Sequence, residues 1–332
     1  MSRLMSPLLL LTLITCTPSA SARPDETSYR GLCDASAAVA LGSEHFVVAD
    51  DEVNVLTIYR LGKPDPTARI DLTDYLGNRQ ASGKAREADL EGSARIGQRI
   101  YWISSHGRTS KGKTAEPRQR FFATDIIDNT SPPRLRTTGT ASYSILLEKL
   151  IADRRFELLA RASELAISPK AAGGVNIEGL AATADGALLI GFRNPLREGR
   201  ALLVPLTNPA AVIDHGASPL FGDAIWLDLG GRGIRSIASV AAGFLIVAGP
   251  FGKDQPSGKG FALYSWSGEA TAAPKRLKDV DFGSWHPEAL FAITGRIYVL
   301  SDDGNQKTNG VPCKELPASR RSFRGRALES LE

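Results

Sequence analysis

The 332-residue chain is poor in cysteine and in net charge, and it lacks a long apolar run beyond its N-terminus. Three cysteines exclude a small domain held together by many disulfides. A net charge of +4 at pH 7 is too small to indicate a nucleic-acid-binding protein. No later apolar run reaches the roughly 18 residues of a membrane span, which excludes a polytopic membrane protein. The apolar fraction of 42% excludes intrinsic disorder, so an ordered globular protein remains.

The N-terminal residues have the pattern of an export signal. Arg3 precedes a short apolar segment over residues 7–14, and small residues at 20–22 form a cleavage-site pattern. We therefore predict a signal peptide over residues 1–22 and an exported protein, periplasmic or secreted. Cys16 leaves open the alternative of a lipoprotein anchor.

Two cysteines, Cys33 and Cys313, remain after removal of the signal. In an oxidising compartment a leftover pair of cysteines commonly forms a disulfide. Such a bond would close a very long loop and join the two ends of the domain. The alternative is two unpaired, buried thiols.

One short segment recurs five times along the chain. Each copy is followed by a glycine-containing turn and an apolar strand that ends in polar residues, and a third strand usually follows. The copies begin at Asp34, Asp89, Asn176, Ile234 and His286. A period of roughly 50–60 residues with four strands is typical of a β-propeller blade.

These repeats predict an all-β, five-bladed propeller that forms one domain over residues 23–332, or six blades if a degenerate copy is present. The longer interval between the second and third copies contains apolar residues at helical spacing over about residues 143–168, which predicts a helical insertion between blades two and three. The fifth copy is too short for four strands, so residues before Cys33 are expected to complete its blade.

In such a blade, the start of the first strand and the end of the second strand lie on the same face, near the central channel. The repeated glutamate therefore meets the polar strand ends of all five blades. We expect an oxygen-rich divalent-cation site, with Ca²⁺ or Mg²⁺ as the ion. Its predicted ligands are Glu91, Glu178, Glu288, Asp50 and Asp302. The fourth copy has Ser236 in place of the glutamate, which would leave a gap for a ligand to enter.

The loops after the second strands are cationic, with bases that include Lys253 and Lys259. Cations around a central cation–carboxylate cluster suit a small anionic ligand, since guanidinium groups clamp anions. The predicted ligand-binding residues are Arg108, Arg193, Asn194, Arg200 and His286.

Three interpretations of these residues remain open. The first is a monomeric, non-catalytic propeller that binds a small anion, a glycan or a protein partner with the help of the cation. The second is a divalent-cation-dependent hydrolase of anionic esters, with His106 as the base and Glu178 as a catalytic metal ligand. The third is structural, since a repeated glutamate can also accept hydrogen bonds from the backbone amides of neighbouring blades.

Residues 107–114 match the P-loop pattern. A phosphate-binding loop requires a helix that begins at its second glycine. Pro117 and the strand that starts at Arg120 follow too soon for such a helix, so we predict no nucleotide site here.

The chain resembles a family of exported bacterial proteins known as domain of unknown function 3616. The resemblance is carried by residues 49–56, 88–92, 101–108, 176–181 and 191–196. It implies an exported β-propeller and brings no established activity. The segment Asn176-Ile177-Glu178-Gly179-Leu180-Ala181 is also similar to a motif of the "esterase-like activity of phytase" propellers, which implies ester or phosphoester chemistry.

Overall fold

The computed structural model describes residues 26–127, 130–252 and 260–328. Five four-stranded antiparallel sheets are arranged as the blades of a propeller. The innermost strands of successive blades lie side by side, and that of the fifth blade returns to that of the first. The predicted all-β class and the count of five blades are therefore confirmed.

The blades are built in chain order, except that the N-terminal strand joins the last blade. Blade one is β2 (Ala37–Ala40), β3 (His45–Ala49), β4 (Val55–Arg60) and β5 (Pro66–Asp71). Blade two is β6 (Leu90–Ile96), β7 (Arg99–Ser104), β8 (Phe121–Ile127) and β9 (Arg134–Thr137). Blade three is β10 (Asn176–Ala182), β11 (Leu188–Asn194), β12 (Ala201–Leu206) and β13 (Ile225–Leu227). Blade four is β14 (Gly233–Val240), β15 (Gly243–Gly249), β16 (Ala262–Trp266) and β17 (Lys275–Leu277). Blade five is β18 (Pro287–Ile293), β19 (Arg296–Ser301), β22 (Ser322–Ala327) and β1 (Thr27–Arg30), and a hairpin of β20 (Lys307–Thr308) and β21 (Val311–Pro312) precedes β22.

The second strand of each blade is a nearly continuous apolar run because both faces of the blade are covered by its neighbours. In β3, Phe46, Val47 and Val48 are all fully buried, although successive side chains point to opposite faces of the sheet. Side chains on one face of the sheet pack toward the preceding blade, and side chains on the other face pack toward the next blade. The hydrophobic clusters accordingly lie between blades.

The two ends of the chain close the propeller. Strand β1 pairs antiparallel with β22, with Thr27 opposite Gly325, so residues before Cys33 do complete the fifth blade as predicted. The predicted disulfide between Cys33 and Cys313 is also present and joins residues 280 positions apart.

The helical insertion between blades two and three is confirmed and contains two short helices. These are α1 (Leu146–Ala152) and α2 (Glu157–Glu164), with a 3₁₀ helix at Arg154–Phe156 between them. Their buried side chains, such as Leu150 and Leu159, pack in one cluster with strands of blades two and three. A further helix that the sequence analysis did not predict, α3 (Pro209–His215), lies between β12 and β13. Three more 3₁₀ helices lie at Glu116–Arg118, Cys313–Glu315 and Ala318–Arg320.

The central channel narrows between its two ends. A cavity of about 220 Å³ at one end is lined by residues that follow the starts of all five innermost strands. Nearer the strand starts, the space between Ser36, Glu91, Glu178 and Ser236 is only about 10 Å³, roughly the room for one water molecule. We call the end at the strand starts the channel mouth.

The predicted signal peptide, residues 1–22, and Cys16 lie outside the described residues. Among the residues that the structure describes, no helix is both long enough and apolar enough to span a membrane.

Candidate functional site

The innermost strands of four blades contain a β-bulge close to the channel mouth. Each bulge inserts one extra residue into the strand, so the strand's pairing register shifts there. The register places these residues at the bulges: Glu91, Glu178, Arg235 and Glu288. In blade one the equivalent residue is Ser36, directly before the paired Ala37. Alignment of the five repeat copies predicted Ser236 at this position in blade four. The bulge instead places Arg235 there, one residue earlier.

Arg235 joins two of the glutamates. Its Nε lies 3.0 Å from Glu178 Oε2, and its Nη2 contacts Glu288 Oε1. Glu178 Oε1 also accepts hydrogen bonds from Arg193 Nη1 at 2.6 Å and from Asn176 Nδ2 at 2.7 Å. All five side chains are buried. Two guanidinium groups therefore balance the charges of two carboxylates in this part of the mouth.

The remaining glutamate, Glu91, belongs to a separate group of carboxyls. We define the acidic cluster as Asp34, Asp50, Asp51, Asp89 and Glu91. The first three residues, and likewise the last three, each offer one carboxylate oxygen within 4.8 Å of the others. Asp51 is shared by both groups of three.

The acidic cluster has few partners of opposite charge. Asp89 Oδ2 accepts a hydrogen bond from Ser105 and lies 3.2 Å from Arg118 Nη1. Asp51 Oδ1 is buried and has no hydrogen-bond partner among the described residues. Glu91 is only 8% exposed, and no described Lys or Arg lies within ion-pair distance of its carboxylate. The cluster thus holds more buried negative charge than the surrounding side chains balance.

This crowding raises the pKa values of the carboxyls. Burial, followed by the hydrogen bond with Asp302 and its charge, raises the pKa of Asp34 to about 9. Burial raises the pKa of Asp50 to about 7. Burial and the neighbouring carboxylates also raise the pKa values of Asp51 and Glu91 well above their ordinary range. Part of the cluster is therefore protonated at neutral pH unless a cation balances its charge.

The geometry of the cluster fits a cation with oxygen ligands. Calcium–oxygen distances of about 2.3–2.6 Å place two oxygens on opposite sides of one ion at roughly 5 Å from each other. The oxygens of Asp51, Asp89 and Glu91 lie within 4.8 Å, so one ion can contact all three.

The predicted cation ligands are divided between these two parts of the mouth. Asp50 and Glu91 belong to the acidic cluster, and Asp302 lies opposite Asp34 in an isolated β-bridge. Glu178 and Glu288 are ion-paired with arginines. Asp34, Asp51, Asp89 and Arg235 were not among the cation ligands predicted from the sequence. Asp34 and Asp89 occupy equivalent places in the first two repeat copies, two positions before Ser36 and Glu91, and this equivalence was a signal that could have identified them.

The predicted ligand-binding residues have different surroundings. Arg193 and Asn194 are buried, and Asn194 Nδ2 donates to the carbonyl oxygens of Pro169 and Ala171. Arg200 and His286 are exposed. Arg108 is half-buried and bonds within the protein, as does His106.

Residues 107–114 form a turn in which Thr109 and Lys113 are hydrogen-bonded. The 3₁₀ helix at Glu116–Arg118 and then β8 follow. Lys111 and Lys113 are exposed, whereas the cationic residues Lys253 and Lys259 lie outside the described residues.

Fold and site together define a five-bladed β-propeller with a carboxylate-rich channel mouth. The chain belongs to the family described as "Protein of unknown function (DUF3616)", whose model matches residues 128–294. A comparison with curated proteins finds no match.

The solved structures to which the chain is similar include a cyclase and a dehydrogenase. Glutaminyl cyclase from Myxococcus xanthus is 15% identical, with a TM-score of 0.44 over 91% of this chain and 96% of that one. The PQQ-bound aldose sugar dehydrogenase from Streptomyces coelicolor is 11% identical, with a TM-score of 0.42 over 92% of this chain and 100% of that one. At these values neither structure assigns a function to this chain.

Proposed function

We propose that the protein binds a divalent cation in the acidic cluster and, through that ion, a small anionic ligand at the channel mouth. The observation that supports this proposal most strongly is the meeting of Asp51, Asp89 and Glu91 within 4.8 Å. One of these carboxylates has a buried oxygen without a partner, and another lacks an ion-pair partner among the described residues. Both features are expected of several carboxylates that are arranged around one positive charge.

The unfavourable free energy of burying unpaired carboxylates supports the proposal of a bound ion. Buried carboxylates without a counter-charge are costly, and the group must either take up protons or bind a cation. Arg193 is already paired with Glu178, and Arg235 is already paired with both Glu178 and Glu288. A divalent cation would add two positive charges to the acidic cluster, which has few cationic side chains beside it.

The donor set favours calcium. All the proposed ligands are carboxylate oxygens, which hard cations prefer, and neither histidine nor cysteine belongs to the cluster. Calcium accepts six to eight oxygen ligands in flexible geometry, whereas magnesium requires a near-octahedral set. Carboxylates on loops and strand ends of two adjacent blades, in groups of three, suit the larger ion.

The anionic ligand is proposed from the surroundings of the ion. The constriction of about 10 Å³ below the mouth keeps a ligand on this face. Exposed cationic side chains on the surrounding loops, including Lys111, Lys113 and Arg200, would attract an anion toward the ion. The proposal includes export, which residues 1–22 predict.

Calorimetry on metal-stripped protein tests the proposal. We expect saturable binding of Ca²⁺, weaker binding of Mg²⁺, and at least about a tenfold loss of Ca²⁺ affinity in Asp51→Asn. The matched control is Glu52→Gln. Glu52 is the adjacent residue, but it is exposed and already paired with Lys314 at 2.8 Å. No Ca²⁺ binding by the folded wild type, or equal losses in both variants, would reject the proposal.

Hydrolysis of anionic esters by the bound ion remains a prediction from the sequence. It is tested by assays with phosphomonoesters and carboxylesters, with and without Ca²⁺. Turnover that is lost in Asp51→Asn and kept in Glu52→Gln would extend the proposed function from binding to catalysis.

A further inference from the structure

A second candidate site is a cavity between the loop that follows β7 and the helical insertion. Its volume is about 190 Å³, somewhat larger than the roughly 150 Å³ cavity that binds benzene in an engineered protein core. Much of its wall is apolar and is formed by Leu147, Ile151, Ala162, Leu165, Ile167 and Val175. Leu165 is 47% exposed, so an apolar side chain lies where the cavity meets solvent. These features suit a small molecule with an apolar body.

The cavity is held open by contacts between its two sides. Arg108 Nη2 donates to Ser163 O at 2.8 Å, and Arg108 Nη1 donates to Gly112 O at 3.2 Å. Gly112 has a φ of +76°, and a Cβ atom there would lie 2.0 Å from Ala166 O. The loop therefore packs directly on the backbone of the insertion, and only glycine permits this approach. These hydrogen bonds fix the Arg108 side chain between the loop and the insertion.

His106 supplies a buried polar group to a wall that contains, besides its apolar side chains, polar residues such as Thr114 and Gln119. His106 is among the residues that line the cavity and is 2% exposed, and its Nδ1 lies 2.9 Å from Ser104 O. A carbonyl oxygen only accepts hydrogen bonds, so Nδ1 carries the proton and Nε2 has a free lone pair. Nε2 is buried without a hydrogen-bond partner among the described residues. Burial also lowers the pKa of His106 to about 4, which keeps the ring neutral at physiological pH.

From this arrangement we infer that the cavity binds a small uncharged alcohol or phenol. The hydroxyl group donates to His106 Nε2, and the hydrocarbon part packs against Leu147, Ile151 and their neighbours. A buried acceptor without a partner is unfavourable, and a ligand hydroxyl provides the donor that the protein does not. The volume limits the ligand to about one six-membered ring with its substituent. This inference does not rest on the proposed cation site.

The test compares phenol with toluene, which has the same ring but no donor. Titrations followed by NMR of the ¹⁵N-labelled protein would measure both affinities and locate the shifts. We expect one saturable phenol site, with toluene at least about tenfold weaker, which is the difference expected for one hydrogen bond. Absence of saturable phenol binding at millimolar concentrations, or equal affinity for both compounds, would overturn the inference.

Two variants locate the site. Ala162→Leu fills the cavity from α2 and should abolish binding, whereas Ala160→Leu changes a half-buried residue of the same helix that does not line it. His106→Asn replaces the imidazole Nε2 by a shorter amide side chain, and asparagine tolerates the φ of +54° at this position. We expect it to reduce the preference for phenol over toluene to about threefold or less. Unchanged phenol binding in Ala162→Leu would overturn the inference. If His106→Asn fails to fold, the comparison of phenol with toluene on the wild-type protein still tests whether the cavity binds a hydroxyl group.

Discussion

Arg235 and Glu178 form a buried ion pair at the channel mouth, with Arg235 Nε 3.0 Å from Glu178 Oε2. The same guanidinium group contacts Glu288. Glu91, the third glutamate at a bulge, has no such partner among the described residues and lies with the aspartates of blades one and two. The mouth is thereby divided into a charge-balanced part and an acid-rich part. The acid-rich part is where we place the cation.

Removal of the Arg235 guanidinium should destabilise the protein. The Arg235→Gln variant leaves Glu178 and Glu288 buried with less positive charge, and breaking a buried pair in this way costs about 3–5 kcal/mol. Chemical denaturation would measure the loss. The double variant Arg235→Gln, Glu288→Gln should recover part of it, because one unbalanced carboxylate is removed. A loss below about 1 kcal/mol, as for an exposed pair, would show that this network is not a major contribution to stability.

Calcium binding should release protons. Burial and the neighbouring carboxylates raise the pKa values of two proposed ligands, Asp51 and Glu91, well above their ordinary range, so these groups take up protons when no ion is bound. The ion binds the carboxylate forms, so binding displaces about one proton or more, and affinity should increase as the pH rises from 6 to 9. Calorimetry at pH 7 in two buffers of different ionisation enthalpy measures the released protons. Equal heats in the two buffers, or an affinity that does not change with pH, would contradict this prediction.

The disulfide should support both stability and cation affinity. It closes a loop of about 280 residues, for which the chain-entropy model gives roughly 5.6 kcal/mol. Cys33 also precedes Asp34, and its carbonyl oxygen accepts a hydrogen bond from Asp303 N at 2.9 Å. The double variant Cys33→Ser, Cys313→Ser should therefore unfold at lower denaturant concentration and bind Ca²⁺ more weakly. An unchanged Ca²⁺ affinity would show that the loop holds Asp34 in place without the bond.

The buried neutral His106 should make the protein less stable in acid. Its folded-state pKa of about 4 lies below the ordinary value of 6.5, so the unfolded chain binds more protons between these pH values. Stability should fall as the pH drops from about 6.5 to 4, with His106 contributing up to about 3 kcal/mol. Denaturation of wild type and His106→Asn across this range isolates the contribution. Parallel pH profiles for the two proteins would mean that His106 is not responsible.

Much of the fold could be predicted from the sequence because each blade repeats the same pattern of apolar strands and glycine turns. The site could be predicted only in part. The repeat located the glutamates, but a β-bulge shifts the pairing by one residue, and apolar periodicity alone did not show that Arg235 rather than Ser236 takes the fourth position. Contacts between blades, such as that of Arg235 with Glu288, determine which carboxylates are paired with an arginine. The local sequence does not encode these contacts.

The position of the bound ion tests the central proposal most directly. Crystals grown with Ca²⁺ and measured by anomalous diffraction should show one strong peak, about 2.3–2.6 Å from carboxylate oxygens of Asp51, Asp89 and Glu91. The same experiment on Asp51→Asn should show the peak weakened or absent. A wild-type crystal with Ca²⁺ bound elsewhere, or with no peak among these three carboxylates, would contradict the assignment of the acidic cluster as the cation site.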